Sequence, residues 1–168
     1  MPKEKQMKNK TIILLGVVIA GLILGFFLVN SRGKNEAAFK SYYPAGQLRE
    51  AGRTKDGKLD GAFKSYYPSG HLKLRLTYKD GKKEGTAKFY FESGKLQAKV
   101  TYKNDQSDGI SKFYFENGKL QAEMTYKDGK LDGVSKTYRA SGGIIYIDTY
   151  ENGEMKTRKP HSVANTSP

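Results

Sequence analysis

Apolar and polar residues alternate one by one through much of the chain after residue 36. In LKLRLTYK (residues 72–79) and LQAEMTYK (residues 120–127), every second residue is apolar. This period of two is typical of a β-strand with one buried face and does not fit a helix. The stretch before each such segment, for example residues 110–115, is rich in β-branched and aromatic residues and predicts another strand.

Short turn motifs separate these predicted strands. Motifs such as Pro-Ser-Gly, Glu-Ser-Gly and Glu-Asn-Gly lie between the two strands of a pair, and Asp-Gly often follows the second strand. Glycine preceded by a small polar residue favours a tight turn between antiparallel strands. Each unit of sequence therefore predicts one β-hairpin.

The hairpin pattern recurs every 24 residues from residue 37 to residue 156. The repeat anchors are Tyr42, Tyr66, Tyr90, Tyr114 and Tyr138, with Gly46, Gly70, Gly94, Gly118 and Gly142. This regular spacing is typical of a repeat array, in which each unit buries its apolar surface against its neighbours. The sequence predicts an all-β fold in which five hairpin repeats form an elongated antiparallel meander, as a single layer rather than a two-layer sandwich.

Two hairpin registers are compatible with the turn sequences. A two-residue Asn-Gly loop would place Phe115 opposite Leu120, whereas a type I turn with a glycine bulge would place Tyr114 there. Pro44 and Pro68 favour the second register, because it puts proline where type I turns accept it and where no paired N–H is needed.

In this register the tyrosine and leucine rows are expected on one face, together with the stems of a lysine row. The other face is expected to carry Phe89, Phe91, Phe113 and Phe115 among Gln97, Lys99, Gln121 and Glu123. Exposed aromatic residues beside charges are typical of a protein-binding surface. The predicted partner-binding residues are the aromatic contacts Phe89, Phe91, Phe113 and Phe115 and the rim charges Lys99, Lys119 and Arg75.

The N-terminal region has the features of a membrane anchor. Residues 1–10 are basic, and residues 11–29 are apolar without a charge. A run of this length spans a bilayer core of roughly 30 Å. We interpret residues 11–30 as a transmembrane signal-anchor helix and residues 31–36 as a linker, with a cleaved signal peptide as the alternative. The expected location is the cell membrane, with a single pass and the repeats on the extracytoplasmic side.

Residues 157–168 lack an apolar period and are expected to be disordered.

Composition sets limits on the chemistry. The net charge of +13 suits an acidic partner, which includes an acidic protein, an anionic wall polymer and a phospholipid surface. There is no cysteine, and neither His71 nor His161 has a partner at a catalytic or metal-binding spacing. Repeated carboxylates near the Asp-Gly turns are crowded by lysines, which would repel calcium. We expect no catalytic residue, metal or cofactor, and the dispersed basic charge argues against nucleic acid.

The anchor residues resemble the MORN repeat, and more closely its bacterial variant. The pattern appears as YYPSGHL…YKDGKKEG and FYFENGKL…YKDGKLDG. The final unit departs from it, with Arg139 at the second aromatic position and a widened Gly142–Gly143 turn, which suits an end cap. The resemblance implies an elongated antiparallel sheet that acts as a contact surface. Bacterial members are often labelled as antitoxin or immunity-like components of toxin–antitoxin systems.

Together these features predict a non-enzymatic, membrane-anchored repeat protein. Its basic, Tyr/Phe-rich sheet is expected to bind a macromolecular partner, with a protein of the toxin–antitoxin type as the leading hypothesis. The alternative is a cell-envelope attachment module that binds an anionic wall polymer or phospholipid.

Overall fold

The computed structural model describes residues 29–30 and 35–161, and their regular structure is entirely β. The strands are β1 (Val29–Asn30), β2 (Glu36–Tyr42), β3 (Leu48–Lys55), β4 (Lys58–Leu59), β5 (Gly61–Tyr66), β6 (Leu72–Lys79), β7 (Lys82–Tyr90), β8 (Leu96–Lys103), β9 (Gln106–Ser107), β10 (Gly109–Tyr114), β11 (Leu120–Lys127), β12 (Lys130–Leu131), β13 (Gly133–Tyr138), β14 (Ile144–Glu151) and β15 (Glu154–Pro160). Within this part of the chain no helix has the length and hydrophobicity needed to cross a membrane.

All fifteen strands belong to one antiparallel sheet. The main path runs β1-β2-β3-β5-β6-β7-β8-β10-β11-β13-β14-β15, so each long strand pairs with the next long strand in the chain. The two-residue strands β4, β9 and β12 lie outside this path and pair with β3, β8 and β11, respectively. The predicted antiparallel meander of hairpins is therefore confirmed.

The turn within each repeat selects the register. In the fourth repeat Gly118 N–H donates to the Phe115 carbonyl over 2.8 Å, and Phe115 N–H donates to the Lys119 carbonyl over 2.9 Å. Gly118 has a φ of 84°, which glycine adopts without the steric cost of a Cβ. Tyr114 pairs with Leu120, and the register shifts between Phe113 and Tyr114. This is the bulged arrangement that the prolines favoured.

The turns between repeats explain why carboxylates recur beside them. Asp80 has a φ of 50°, and its backbone N–H donates over 3.1 Å to the carboxylate of Asp60 in the preceding loop. Asp128 donates in the same way to Asp108, and Asn152 to Asp132. These carboxylates bind the backbone of the next turn and so hold successive repeats in register.

One face of the sheet carries the small buried core. Its buried apolar side chains are Leu76, Ala87, Ala98, Val100 and Ala122. Large and small residues pair across the strands of this face. Phe39, for example, pairs with Gly52, where an added Cβ would lie 2.9 Å from the phenylalanine ring. The repeats fill the core in this way without a second layer.

Both ends of the described sheet differ from the sequence prediction. Val29–Asn30 form a strand that pairs with β2, although the predicted helix ended at residue 30. The predicted N-terminal segment and the rest of that helix lie outside the described residues. At the other end β15 continues to Pro160, so the first four residues of the segment predicted to be disordered, 157–160, belong to a strand.

The extension of β15 has a physical cause. Asp148 on β14 is only 4% exposed, and Arg158 on β15 binds both of its carboxylate oxygens at 2.9 and 3.0 Å. The Asp148 carboxylate in turn raises the pKa of Arg158. A nearly buried carboxylate needs a cationic partner, so this pair fixes the last strand on the sheet.

Candidate binding groove

The bulge in each hairpin changes which side chains share a face. Residues directly opposite each other in an antiparallel pair point to the same side of the sheet. Phe113 pairs with Ala122, whereas Lys112 pairs with both Lys99 and Glu123. We call the side of Phe113 the phenylalanine face and the side of Lys112 the lysine face.

This assignment corrects part of the sequence prediction. Lys99 and Glu123 were expected among the phenylalanines, but they lie on the lysine face. Arg75 also lies there, because it pairs with Lys64 and Lys88. The prediction carried strict alternation through the turn, whereas the extra residue of each bulge inverts the alternation along the second strand.

The phenylalanine face contains an open groove between the third and fourth repeats, with a volume of about 490 Å3. Its lining residues are all uncharged: Phe89, Phe91, Gln97, Ala98, Val100, Tyr102, Ser107, Ser111, Phe113, Tyr114, Gln121 and Tyr126. The groove thus combines aromatic rings with the amides of two glutamines and with hydroxyl groups. This combination suits contact with an apolar group that has polar atoms at its margin.

Phenylalanine changes position between repeats near the groove. The first two repeats read FKSYY, with Phe39 and Phe63, whereas the third and fourth read AKFYF and SKFYF. The ring of Phe63 packs against Phe39 at 6.4 Å and against Tyr78 at 5.8 Å between centroids. In the third and fourth repeats Ala87 and Ser111 take the place of these phenylalanines. Both small residues are only 1% exposed, whereas Phe89 and Phe113, two positions further along the chain, line the groove.

Two groups in the groove have unusual environments. Ser111 is 1% exposed, and its Oγ has no hydrogen-bond partner among the described residues. Burial raises the pKa of the Tyr102 hydroxyl, and the nearby Tyr126 adds to this effect. The ammonium of Lys83 lies 5.1 Å from the centroid of the Tyr102 ring, a distance typical of a cation–π contact.

The structure brings together some of the predicted contact residues and separates others. Phe89, Phe91 and Phe113 line the groove together, whereas Phe115 does not. Lys119 is engaged elsewhere, because its Nζ donates over 2.7 Å to the Ser141 carbonyl in the next repeat. The predicted rim of Lys99, Lys119 and Arg75 therefore does not border the groove.

The repeat anchors occupy structural positions. Each row tyrosine ends its strand and pairs with the leucine or isoleucine of the same repeat, as Tyr66 does with Leu72. The row glycines all have positive φ, between 81° and 115°. The second aromatic of the first two repeats also acts structurally, because the Tyr67 hydroxyl donates over 2.8 Å to the Tyr90 carbonyl, as Tyr43 does to Tyr66.

The sequence contained a signal for the groove that strict repeat reading misses. The change from FKSYY to AKFYF lies inside an otherwise regular array, and it moves one phenylalanine by two positions along the same face. The unpartnered hydroxyl of Ser111 has no such signal, because its burial depends on neighbouring strands.

This architecture defines a tandem β-hairpin repeat protein with a groove on one face of a single sheet. Five successive segments match the MORN repeat variant family, at residues 35–56, 59–80, 83–104, 107–128 and 131–156. These segments cover more than half of the chain, so the chain belongs to the MORN repeat variant family. No curated protein matches the chain.

Proposed function

We propose that this chain is a non-enzymatic binding protein whose groove receives an apolar side chain of a protein partner. The observation that supports this proposal is the open, uncharged groove between the third and fourth repeats, which Phe89, Phe91 and Phe113 line together. Partly exposed aromatic residues around a pocket are the residues that most often dominate the energy of protein interfaces.

The uncharged lining indicates how the partner binds. Contacts in the groove bury apolar surface and are only weakly screened by salt. The five similar repeats also extend the sheet on both sides of the groove, which gives a partner a long strip to contact. Toxin neutralisation, which the family resemblance implied, is the form of partner binding that we propose.

We also propose that the apolar segment from Thr11 to Leu28 holds the chain in the cell membrane, with the repeats on the extracytoplasmic side. The segment has no charged residue, and four lysines and one glutamate precede it. Positive charge before an apolar span favours a cytoplasmic N-terminus.

The test is chemical cross-linking of the full-length protein in its own membranes, followed by capture at low and at high salt. We expect one stoichiometric protein that survives high salt, captured equally well by the variant Lys99→Gln, whose changed side chain is on the opposite face. Recovery of only a polymer or lipid that is lost at high salt would overturn the proposal. Inhibition of growth by the captured protein alone, relieved by co-expression of this chain, would support toxin neutralisation.

A further inference from the structure

The lysine face carries a straight row of positive charges across five neighbouring strands. The register pairs Lys64 with Arg75, Arg75 with Lys88, Lys88 with Lys99, and Lys99 with Lys112. Adjacent strands lie about 4.8 Å apart, so the row spans roughly 19 Å. We call these five residues the cation row. The row was not predicted from the sequence, because strict alternation through the turn placed Lys99 on the other face.

The cation row is nearly without counter-ions. Lys112 forms an ion pair with Glu123 at 3.1 Å. None of the other four members forms an ion pair within the part of the chain that the structure describes. Like charges directly opposite each other in a sheet are destabilising, so the row costs the fold stability.

Lys64, Lys88 and Lys112 come from a position that is lysine in every repeat, but the repeat architecture does not require a cation at the other position. The position of Arg75 and Lys99 is taken by Ala51 in the first repeat, Glu123 in the fourth and Ile147 in the fifth. Protection of sheet edges by lysine does not explain the row either, because its strands are in the middle of the sheet. Arg75 and Lys99 thus add unfavourable charge that the fold does not need, which points to an external anion.

The shape of the row indicates what kind of anion fits. The pairs beside Lys88 and Lys99 are uncharged, with Thr86 and Thr101 on one side and Tyr90 with Leu96 on the other. Next to Arg75 and Lys88 the following pair is Thr77 with Glu84. The positive charge is thus confined to a single line around Lys88 and Lys99, which matches a linear polymer better than a lipid surface. Arginine and lysine both bind phosphate oxygens, and threonine hydroxyls beside them can donate further hydrogen bonds.

We infer that the cation row binds a linear polymer of phosphodiesters without bases, which lies across the strands of the lysine face. The row tyrosines are half-buried and paired with leucines, so they do not offer the free ring faces on which nucleic-acid bases stack. This inference does not rest on the proposed protein partner, since the groove and the cation row are on opposite faces.

The test is fluorescence anisotropy of labelled poly(glycerol phosphate) with the full-length protein in detergent. The key variant is Lys99→Glu, which introduces the residue that the fourth repeat carries at the same position and is therefore expected to fold. The matched control is Lys103→Glu, which makes the same charge change at the exposed end of the same strand, outside the row. Thermal denaturation followed by circular dichroism checks the fold of each variant.

We expect Lys99→Glu to weaken binding about tenfold and Lys103→Glu to weaken it clearly less. The slope of log Kd against log salt should fall by about 0.7 for each cation removed from contact. The reverse substitution Glu123→Lys would connect the row to Lys136, with which Glu123 pairs, and should strengthen binding.

Three results would overturn the inference. Equal weakening by Lys99→Glu and Lys103→Glu would mean that net charge alone attracts the polymer. Binding to oligothymidylate or to phosphatidylglycerol vesicles, but not to poly(glycerol phosphate), would assign the row to nucleic acid or to lipid. Absence of binding to all three probes at low salt would leave the row without an anionic ligand of this kind.

Discussion

Replacement of Ser111 by alanine is expected to stabilise the protein. Ser111 is 1% exposed, and its hydroxyl has no hydrogen-bond partner among the described residues. A buried polar group without a partner costs about 1–3 kcal/mol. Alanine fits this site without strain, since Ala87 occupies the equivalent position one repeat earlier and is also 1% exposed. We expect Ser111→Ala to raise the free energy of unfolding by about 1–2 kcal/mol.

The assay is urea and thermal denaturation of the full-length protein, where the expected gain corresponds to a rise in Tm of about 3–6 °C. Ser135→Ala is the matched control, because Ser135 is 6% exposed and its hydroxyl is also without a partner among the described residues. Ser135 does not line the groove. Both variants should therefore be more stable than the original chain.

A lower free energy of unfolding for Ser111→Ala would refute this reasoning. It would mean that the Ser111 hydroxyl makes a favourable hydrogen bond in the folded protein.

Three further predictions concern stability. Tyr67→Phe removes the hydroxyl that donates to the Tyr90 carbonyl and should lower the free energy of unfolding by about 1 kcal/mol in urea denaturation; an unchanged value would contradict the role of this bond. Arg158→Gln leaves the buried Asp148 carboxylate without its cationic partner, so the backbone amides of β14 should exchange hydrogen faster. Unchanged protection of these amides would show that the ion pair does not fix β15 on the sheet. Because the pKa of Tyr102 is raised in the folded protein, the unfolded chain loses this proton first as pH rises through 10.0. The free energy of unfolding should therefore fall above that pH, and a free energy of unfolding that does not change with pH there would contradict the burial of Tyr102.

The sequence was sufficient for the parts of the fold that depend on local chemistry. Period-two patterning predicted the strands, and the spacing of turn residues predicted hairpins in a meander. Pro44 and Pro68 selected the bulged register, because a proline at the other candidate position would have lost a paired N–H.

Features that depend on neighbouring strands could not be predicted in the same way. The bulge inverts the alternation within each hairpin, so Lys99 and Arg75 were assigned to the wrong face. The order of β15 depends on the ion pair between Arg158 and Asp148, and the sequence KTRKP gives no period that would reveal it. The groove depends on the position of Phe113 relative to small residues in two adjacent repeats.

The most direct test of the binding proposal is a swap of two residues within the groove. The double substitution Ser111→Phe and Phe113→Ser gives the fourth repeat the arrangement of the second, where Phe63 and Ser65 occupy these positions. It retains the amino-acid composition and should fill the groove with a ring. Cross-linked capture from the protein's own membranes at high salt would compare this variant with the original chain. We predict that the swapped protein folds but no longer captures the partner, whereas undiminished capture by a folded swapped protein would contradict the groove as the binding site.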